Sequence, residues 1–472
     1  MTVPDQQREL LDVSADRWHD RIADLIAGGM RFLTLWSDPA GRVACALGGG
    51  YGTMVVRSTP APGELQSIVD VAGAAAWDER EIHDRTGVQF AGHVPLRPLV
   101  AHPAATADWV TPVSGEDVHQ VAVGPIHACV IESGHFRFHV VGERVLHLDL
   151  RLFYKHRGLE AAAAGATPDL AARLAQRACA ACAVTNSVAV AQAYESAHGG
   201  VPDAAVRRAR TLLLELERLY NHLNDIGAIC SGIGLAAGSM AFAELKERAQ
   251  RVNAELTGHR FLFDTVAIGS SDLDIDASTA AHLRARVAAI GAEAALLWSD
   301  VGANRSVRAR IRGAGILVRD EALRLGACGP VGRASGVNDD ARADGRLLWY
   351  PGFVGATLND PSGDVAARIE IRAREITACC AIIEDVLSDS VRPGRVTLSR
   401  PAAGPGIAQL ESPRGRTVAV VEPDRAVIAG LHLRTGSYAN WPALAAACTG
   451  AILPDFPLIN KSFELCYACV DR

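Results

Sequence analysis

Two pairs of cysteines, each with a C-x-x-C spacing, are the residues of this 472-residue chain with the clearest capacity for chemistry. The first pair is Cys179 and Cys182, and the second is Cys466 and Cys469. The spacing lets two thiolates converge on one metal ion, and two such pairs supply the four sulfur ligands that soft or borderline metals prefer. The spacing alone leaves a structural zinc site, a redox-active dithiol and coincidence as alternatives.

The distance along the chain between the two pairs argues against an ordinary zinc motif. Between Cys182 and Cys466 lie 283 residues, whereas structural zinc sites usually take their ligands from a compact stretch. We therefore expect a buried site that joins two distant ends of a large domain. The chain has 11 cysteines, and we expect the remaining seven to be small buried apolar residues: Cys45, Cys129, Cys230, Cys328, Cys379, Cys380 and Cys448.

The overall composition is that of a globular protein with a sizeable core. Apolar residues make up 49% of the chain and charged residues 21%. The 47 basic and 53 acidic side chains give a net charge of −6, and no block of lysine or arginine is present, which argues against nucleic-acid binding. Apolar stretches are shorter than the ~20 residues that a membrane span needs, and the polar N-terminus does not resemble a signal peptide. We expect a cytoplasmic chain that can attach to a membrane through a partner.

The pattern of apolar residues predicts an α+β fold that positions the cysteines. Residues 1–105 form a small α/β module in this prediction, and residues 106–117 form a linker with prolines and alanines. Alternating apolar residues within 118–153 predict a small β layer. Helical spacing then dominates, and it predicts a large mainly helical domain that continues to residue 472.

Individual helices can be placed by their apolar stripes and their capping residues. Thr167-Pro168-Asp169 predicts a helix start, because a capping threonine precedes a proline at the first helical position. Further helices are predicted over 183–197, 204–228, 241–257 and 277–300, and from a cap at Ser362 to about Leu387. Because Cys179 and Cys182 precede the helix of 183–197, we expect its N-terminal dipole to lower the pKa of both thiols.

Several motifs, taken together, resemble the large subunit of [NiFe]-hydrogenases. Within that family they are similar to the membrane-bound group that is related to respiratory complex I, of the formate hydrogenlyase and hydrogenase-4 type. The last motif resembles the C-x-x-C-x-x-[HR] segment at which mature large subunits end. In chain order, the motifs are Gly124–Phe136, His156–Glu160, Arg177–Cys182, Glu217–His222, Gly332–Gly336, Glu411–Gly415 and Cys466–Arg472.

The N-terminal module resembles a different family. Trp77–Asp84, together with Gly92-His93 and Leu96-Arg97, is similar to the 30-kDa peripheral-arm subunit of complex I, here fused upstream. The resemblance therefore implies an α+β chain in which a small α/β module precedes a β layer on a large, mainly helical domain like a hydrogenase large subunit and the complex I 49-kDa subunit.

The resemblance implies a metal centre and residues that serve it. Cys179, Cys182, Cys466 and Cys469 would bind a binuclear nickel–iron centre. Glu132 would relay protons, and its alternative is an ordinary ion pair at a strand end. Arg414 would face the open coordination position, since a guanidinium stays charged at working pH; its alternative is a turn residue after Pro413.

A magnesium ion is implied beside this centre. Glu160 matches a position whose carboxylate helps to hold magnesium in relatives, with Arg472 as its neighbour, and the alternative is a glutamate on a helix surface. The motif Glu217–His222 is interpreted as pairing between helices rather than as chemistry.

The chain departs from the family pattern close to the cysteines. Asn186 stands where many relatives carry histidine, and it could still hydrogen-bond a cysteine sulfur. Glu464-Leu465 stands where relatives have Asp-Pro, and Ala180 replaces a glycine. Residues behind metal ligands tune the metal strongly, so these departures bear on reactivity.

The resulting hypothesis is the catalytic large subunit of a complex-I-related hydrogenase, with H2 and protons as substrates. An iron–sulfur small subunit would take the electrons, and further complex-I-like subunits would hold the chain peripherally on the inner face of the cell membrane. No G-x-G-x-x-G pattern is placed for a nucleotide, so no NADH chemistry is expected within this chain. The alternatives are a non-hydrogenase subunit of a complex-I-like, quinone-linked assembly, whose equivalent generally lacks the four cysteines, and a subunit braced by zinc.

Overall fold

The computed structural model describes residues 8–49, 52–105, 108–127, 132–344 and 347–472. Within the described ranges it is an α+β structure, which confirms the fold class expected from the sequence. The fifteen helices of these ranges are α1 Trp18–Ala27, α2 Ala76–Thr86, α3 Leu159–Ala163, α4 Pro168–Gln176, α5 Ala183–Ala197, α6 Ala204–Gly232, α7 Ala236–Thr257, α8 Ala277–Ala303, α9 Arg305–Ile311, α10 Arg319–Arg324, α11 Gly329–Ala334, α12 Val365–Val386, α13 Gly436–Cys448, α14 Phe456–Phe463 and α15 Ala468–Asp471.

The strands of the same ranges form several small sheets rather than one large one. They are β1 Arg8–Val13, β2 Arg31–Ser37, β3 Val43–Gly49, β4 Gly52–Ser58, β5 Glu64–Gln66, β6 Gln89–Ala91, β7 His119–Val123, β8 His135–Val141, β9 Arg144–Arg151, β10 Val201–Pro202, β11 Ser270–Ser271, β12 Gly394–Thr397, β13 Gly406–Ser412, β14 Gly415–Asp424 and β15 Val427–Arg434.

The N-terminal module is built on a four-stranded sheet with the order β1-β4-β3-β2, in which only β1 and β4 are parallel. Both faces of its central strand β3 are buried. Val43, Cys45 and Leu47 of β3 pack under α1 and α2, whereas the alternate residues Ala44 and Ala46 pack against β13 and β14. The module therefore adheres to the rest of the chain through an apolar sheet face.

The helical core surrounds α6. This 29-residue helix packs against α7 and α12, and α12 packs in turn against α8. The predicted helices are present, and α6 extends four residues beyond the predicted end at 228. One cap differs from the prediction: Asp364, not Ser362, accepts the hydrogen bond from Ala367 N at the start of α12, and Ser362 Oγ bonds to Asp364. Serine and aspartate are comparable N-caps, and the helix begins at Val365, directly after Asp364.

The predicted β layer is the antiparallel sheet β7-β8-β9, which packs with α13 and α14 in a second apolar core. Residues 109–111 of the expected linker lie against this sheet. Trp109 and Val110 are buried, and Thr111 donates hydrogen bonds to Asp149 through its backbone N–H at 3.0 Å and its hydroxyl at 2.7 Å. Residues 114–117 are exposed.

Six of the seven cysteines expected to be buried apolar residues are buried and free of disulfides: Cys45, Cys230, Cys328, Cys379, Cys380 and Cys448. The seventh, Cys129, lies outside the described residues. None of the helices in the described part of the chain combines the length and the apolar character needed to cross a bilayer.

Candidate metal centre

The first cysteine pair lies in a tight turn at the start of α5. A 3-10 turn over Ala180–Cys182 leads directly into the helix, and Cys182 is its N-cap residue but makes no capping hydrogen bond. Glu217 of α6 instead accepts the hydrogen bonds of the free backbone N–H groups at the start of the helix. Its carboxylate accepts hydrogen bonds from Val184 N at 2.6 Å and Thr185 N at 3.2 Å. When it is ionised, this carboxyl group also lies at the positive end of the α5 dipole.

Two further side chains of α6 hold this turn by its carbonyl groups. Tyr220 donates its hydroxyl to Ala180 O at 3.0 Å, and Asn221 donates its amide to Ala181 O at 2.8 Å. The motif Glu217–His222 was expected only to pair helices. In the structure it positions the turn that carries Cys179 and Cys182, because one helix face bonds both to the turn and to the helix that follows it.

The second cysteine pair follows α14. Glu464 ends that helix in a left-handed conformation (φ 51°), which turns the chain sharply toward Cys466. Cys466 N donates to Ser437 Oγ at 3.0 Å, and Thr435 Oγ donates to Cys469 O at 3.2 Å. The start of α13 therefore fixes both ends of the C-x-x-C segment.

The four cysteines converge. Every pair among the Sγ atoms of Cys179, Cys182, Cys466 and Cys469 lies within 4.8 Å, and within the described ranges this is the one group of cysteine, histidine or acidic side chains close enough to share a metal ion. Cys182 and Cys469 are fully buried, and Cys179 and Cys466 are half-buried. Four sulfurs at such a separation can share one metal site.

The protonation of the four thiols is uneven. Hydrogen bonds from the other three thiols and the charge of Arg414 lower the pKa of Cys466 well below its usual value. Hydrogen bonding with Cys179, together with burial, raises the pKa of Cys182 and of Cys469. The expectation that the α5 dipole lowers the pKa is therefore wrong for Cys182, because contacts among the thiols and burial dominate. Metal binding must displace protons from these sulfurs.

Arg414 lies at the tip of the hairpin between β13 and β14. Its guanidinium bonds to Asp225 of α6 through Nη1, and Nη2 lies 3.3 Å from Asn221 Oδ1. The neighbouring anions, including Asp225 and Cys466, keep it charged despite complete burial by raising its pKa. Arg414 is thus more than a turn residue: it is a buried cation oriented by α6.

Glu132 is half-buried beside the second cysteine pair. Burial raises its pKa, and a hydrogen bond from the backbone N–H of Ala468, between Cys466 and Cys469, partly offsets that rise. A carboxyl group with a raised pKa next to the centre can hold a proton closer to neutral pH than an exposed glutamate can.

A layer of buried ion pairs lies behind Arg414. It includes the pairing between helices that was expected for His222, but the sequence interpretation missed its other members. Asp225 bonds to Arg372 Nε at 2.9 Å as well as to Arg414. His222 Nε2 lies 2.8 Å from Glu375, whose other oxygen pairs with Arg333. One signal in the sequence could have indicated these pairs. Acidic and basic residues recur on the apolar stripes of α6 and α12, where an unpaired charge would be very unfavourable.

The two unusual residues near the cysteines behave differently. Asn186 is fully buried one helical turn after Cys182, and neither of its amide atoms has a hydrogen-bond partner among the described residues, so it does not bond a cysteine sulfur. Buried amides without partners are rare, so a polar group is expected beside it.

Glu464 lies 3.4 Å from Asn224 Nδ2, and burial and the charge of Asp225 raise its pKa to about 7.

The surroundings of Glu160 do not fit the magnesium ion that the resemblance implied. Its Oε1 accepts hydrogen bonds from Arg472 Nη1 at 2.9 Å and from Leu433 N at 2.8 Å, and His432 and Arg85 approach within 3.5 and 3.8 Å. Magnesium requires oxygen ligands and water, whereas these neighbours are donors and cations. The side chain is also nearly buried, which excludes the alternative of a surface glutamate.

Comparison with known proteins identifies two domain types in this chain. Residues 51–115 match the family model of the respiratory-chain NADH dehydrogenase 30 Kd subunit, and residues 232–405 match that of the 49 Kd subunit. The order agrees with the expected fusion of a 30-kDa-type module upstream of a 49-kDa-type domain.

Individual relatives span several kinds of complex. The chain is 29% identical over 441 residues to formate hydrogenlyase subunit 5 of Escherichia coli K12, with 87% of this chain and 77% of that protein covered. It is 25% identical to the C/D-type NADH-quinone oxidoreductase subunit of Phocaeicola vulgatus, covering 69% of this chain and 70% of that protein. A solved chain from an archaeal membrane-bound sulfane sulfur reductase complex superposes with a TM-score of 0.69 at 25% identity, covering 75% of this chain and 99% of that one. The shared fold thus occurs in oxidoreductase complexes with different substrates.

Proposed function

Since this chain belongs to the complex-I-related family of 49-kDa-type large subunits with a 30-kDa-type module fused upstream, we propose that it is the catalytic large subunit of a [NiFe]-hydrogenase. In this proposal, residues 1–105 are the 30-kDa-type module, residues 106–117 the linker, and residues 118–472 the large-subunit domain. The observation that carries the proposal is the convergence of four sulfurs from two segments 283 residues apart.

The residues around the sulfurs fit a nickel–iron centre better than a bare tetrathiolate zinc site. The thiolates of Cys179, Cys182, Cys466 and Cys469 would hold the two metals. Four thiolates satisfy zinc completely, but they leave the amide of Asn186 without a partner. A centre that carries small polar ligands besides the thiolates would supply one. The paired cation Arg414 adds a fixed positive charge close enough to act on Cys466 and Cys182.

Bound at these sulfurs, a nickel–iron centre supplies the heterolytic cleavage and formation of H2. Residues of the chain itself would stabilise negative charge at the site and transfer protons to and from it. Arg414, held by Asp225, would place its guanidinium at the open side of the site, where it stabilises negative charge. Glu132 would accept and return a proton at its carboxyl oxygen, which its raised pKa and its contact with the second cysteine segment favour.

Electrons require a partner protein in this proposal. Within the described ranges no second cluster of metal-ligating side chains is present, so an iron–sulfur small subunit would accept them. Two relatives are named as subunits of a membrane-bound hydrogenase and of an NADH-quinone oxidoreductase. For this chain we propose peripheral attachment to the inner face of the cell membrane through partner subunits.

Metal analysis of the purified native complex tests this function. We expect about one nickel per large subunit, together with H2-dependent reduction of an artificial electron acceptor. Zinc without nickel would favour a structural brace, since four thiolates also suit that ion. A complex that contains neither nickel nor zinc would favour a non-hydrogenase subunit of a complex-I-like assembly.

A further inference from the structure

The guanidinium of Arg472 lies between two carboxylates that come from different parts of the chain. Nη2 bonds to both carboxylate oxygens of Glu81, at 2.6 and 2.5 Å, and Nη1 bonds to Glu160 at 2.9 Å. The side chain is completely buried, and its Cζ lies 5.0 Å above the ring of Tyr438. A planar fork with several donors suits this double pairing, which a lysine could not reproduce.

The backbone around Arg472 is fixed equally firmly. Its carbonyl accepts hydrogen bonds from Arg157 N at 2.9 Å and Gly158 N at 3.1 Å. The preceding residue, Asp471, accepts from Phe153 N at 2.8 Å and Lys155 N at 2.9 Å. Since Cys469 is only three residues before Arg472, the contacts that fix Asp471 and Arg472 also restrain the segment that carries the second pair of sulfurs.

Glu81 belongs to α2 of the N-terminal module. A second ion pair joins the same helix to the large domain, because Asp78 lies 3.2 Å from Arg434 Nε. The pair of Glu81 with Arg472 connects the module to the segment that carries Cys466 and Cys469. The pair of Asp78 with Arg434 and the apolar contact between the sheets connect it to β13, β14 and β15. Helix α2 of the module therefore contacts, through Glu81, the segment that carries Cys466 and Cys469.

Two buried carboxylates flank Arg472, and Arg85 also pairs with Glu81, at 2.8 Å. Burial is the largest single influence and raises the pKa of Glu81 and Glu160, but the charges of Arg472, Arg85 and His432 together outweigh it, so the pKa of each carboxyl falls below its ordinary value. Both carboxylates are therefore ionised. They also line a cavity of about 260 Å³, together with His432. Two buried carboxylates beside a cavity would suit a hard cation, but the guanidinium already occupies the space between them.

We propose that Arg472 is a built-in cation that takes the place of a divalent ion, and that its pairing with Glu81 makes the N-terminal module part of the scaffold positioning Cys466 and Cys469. Glu81 and Arg472 are positioning residues and touch no substrate. The proposal depends on the proposed function in one respect, which is the identity of the metal that these sulfurs hold.

The test compares the native complex carrying Glu81→Gln, Arg472→Met or both substitutions. Glu64→Gln is the control, because Glu64 is an exposed glutamate in the same module. Two quantities are measured: the Tm in millimolar MgCl2 and in EDTA, and the metal content per chain. We expect Arg472→Met to lower Tm by about 5–10 °C, since it removes the cation that two buried carboxylates share, although Glu81 keeps its pair with Arg85. We also expect it to weaken metal retention about tenfold.

Magnesium separates a cation site from mere structural damage. In Arg472→Met, Mg2+ should enter between the two carboxylates and raise Tm by about 2–4 °C, whereas wild type and Glu64→Gln should not respond. The double variant should lose less stability than the sum of the single variants and should lose the response to Mg2+, because only one carboxylate remains. If Arg472→Met does not fold, Glu81→Gln still tests the pair, with an expected fall in Tm of about 3–5 °C.

Three results would overturn the proposal: stabilisation of wild type by Mg2+, strict additivity of the two substitutions, or a Glu81→Gln variant as stable and metal-rich as the control. These results are distinct from failure of the proposed function. A wild-type complex without nickel that shows the expected response to Mg2+ would refute the hydrogenase and leave the role of Arg472 intact. A wild-type complex with nickel, together with a Glu81→Gln variant as stable and metal-rich as the control, would support the hydrogenase and refute the role of Arg472.

Discussion

Removal of the Glu217 carboxylate is a direct perturbation of the scaffold behind the first cysteine pair. In Glu217→Ala, the backbone N–H groups of Val184 and Thr185 lose their acceptor at a fully buried helix start. An unsatisfied buried donor is unfavourable by about 1–3 kcal/mol. Two such donors, less the benefit of no longer burying a carboxyl group, give an expected destabilisation of about 3 kcal/mol.

The same substitution should show a pH dependence with a defined sign. Burial raises the pKa of Glu217 to about 7, above its value in the unfolded chain. The folded state therefore binds more protons, and the stability that Glu217 contributes is greatest at low pH and is lost as pH rises through about 7. Between pH ~5.5 and pH ~8 wild type should lose about 2 kcal/mol by this route. Glu217→Ala lacks this contribution, so its deficit should be larger at the lower pH.

Urea unfolding of the metal-free full chain at both pH values measures these differences. Glu247→Ala is the matched control, because it removes an exposed glutamate from the neighbouring helix α7; its effect should stay within about 0.5 kcal/mol. A destabilisation by Glu217→Ala below about 1 kcal/mol, or one equal at the two pH values, would refute the claim that Glu217 caps α5 with a carboxyl of raised pKa.

Three further predictions address the site itself. Glu132→Gln should retain its metal and lose H/D exchange by about 10²-fold or more, since the amide cannot carry the proton; exchange at the wild-type rate would remove Glu132 from the mechanism. Asp225→Asn should lower stability in urea by about 3 kcal/mol and deplete nickel, because it leaves the buried guanidinium of Arg414 without its anion; a stable, fully loaded variant would contradict this pairing. Cd2+ titrated into the reduced, metal-free chain should bind at least about tenfold more tightly per unit increase in pH between ~6 and ~8, because Cys182 and Cys469 must release protons; an affinity independent of pH would show that the thiols are already ionised.

The helices of the core and the four cysteines of the site could be predicted from the sequence, because both depend on local patterns. Apolar residues repeat at helical spacing along α6, and C-x-x-C pairs are uncommon without a use, so both patterns are local. The start of α12 shows the limit of a local rule: Ser362 and Asp364 are both good caps, and only the three-dimensional path of the chain decides that Asp364 makes the bond.

The residues that position the cysteines were out of reach of local patterns. Glu217 bonds to Val184 across 33 positions, Asp225 bonds to Arg414 across 189, and Glu81 bonds to Arg472 across 391. Each pairing is decided by tertiary packing. The sequence could show only that charged residues interrupt apolar stripes, which indicates a buried partner without identifying it.

The most direct test of the central claim is the nickel content of the purified native complex, measured on wild type and on Cys469→Ser in parallel. If sulfurs from both ends of the large domain hold one shared nickel–iron centre, wild type should contain about one nickel per chain. The serine variant should contain almost none, although Cys179, Cys182 and Cys466 remain. Wild type that contains zinc alone, or a Cys469→Ser variant that keeps its nickel, would contradict the claim.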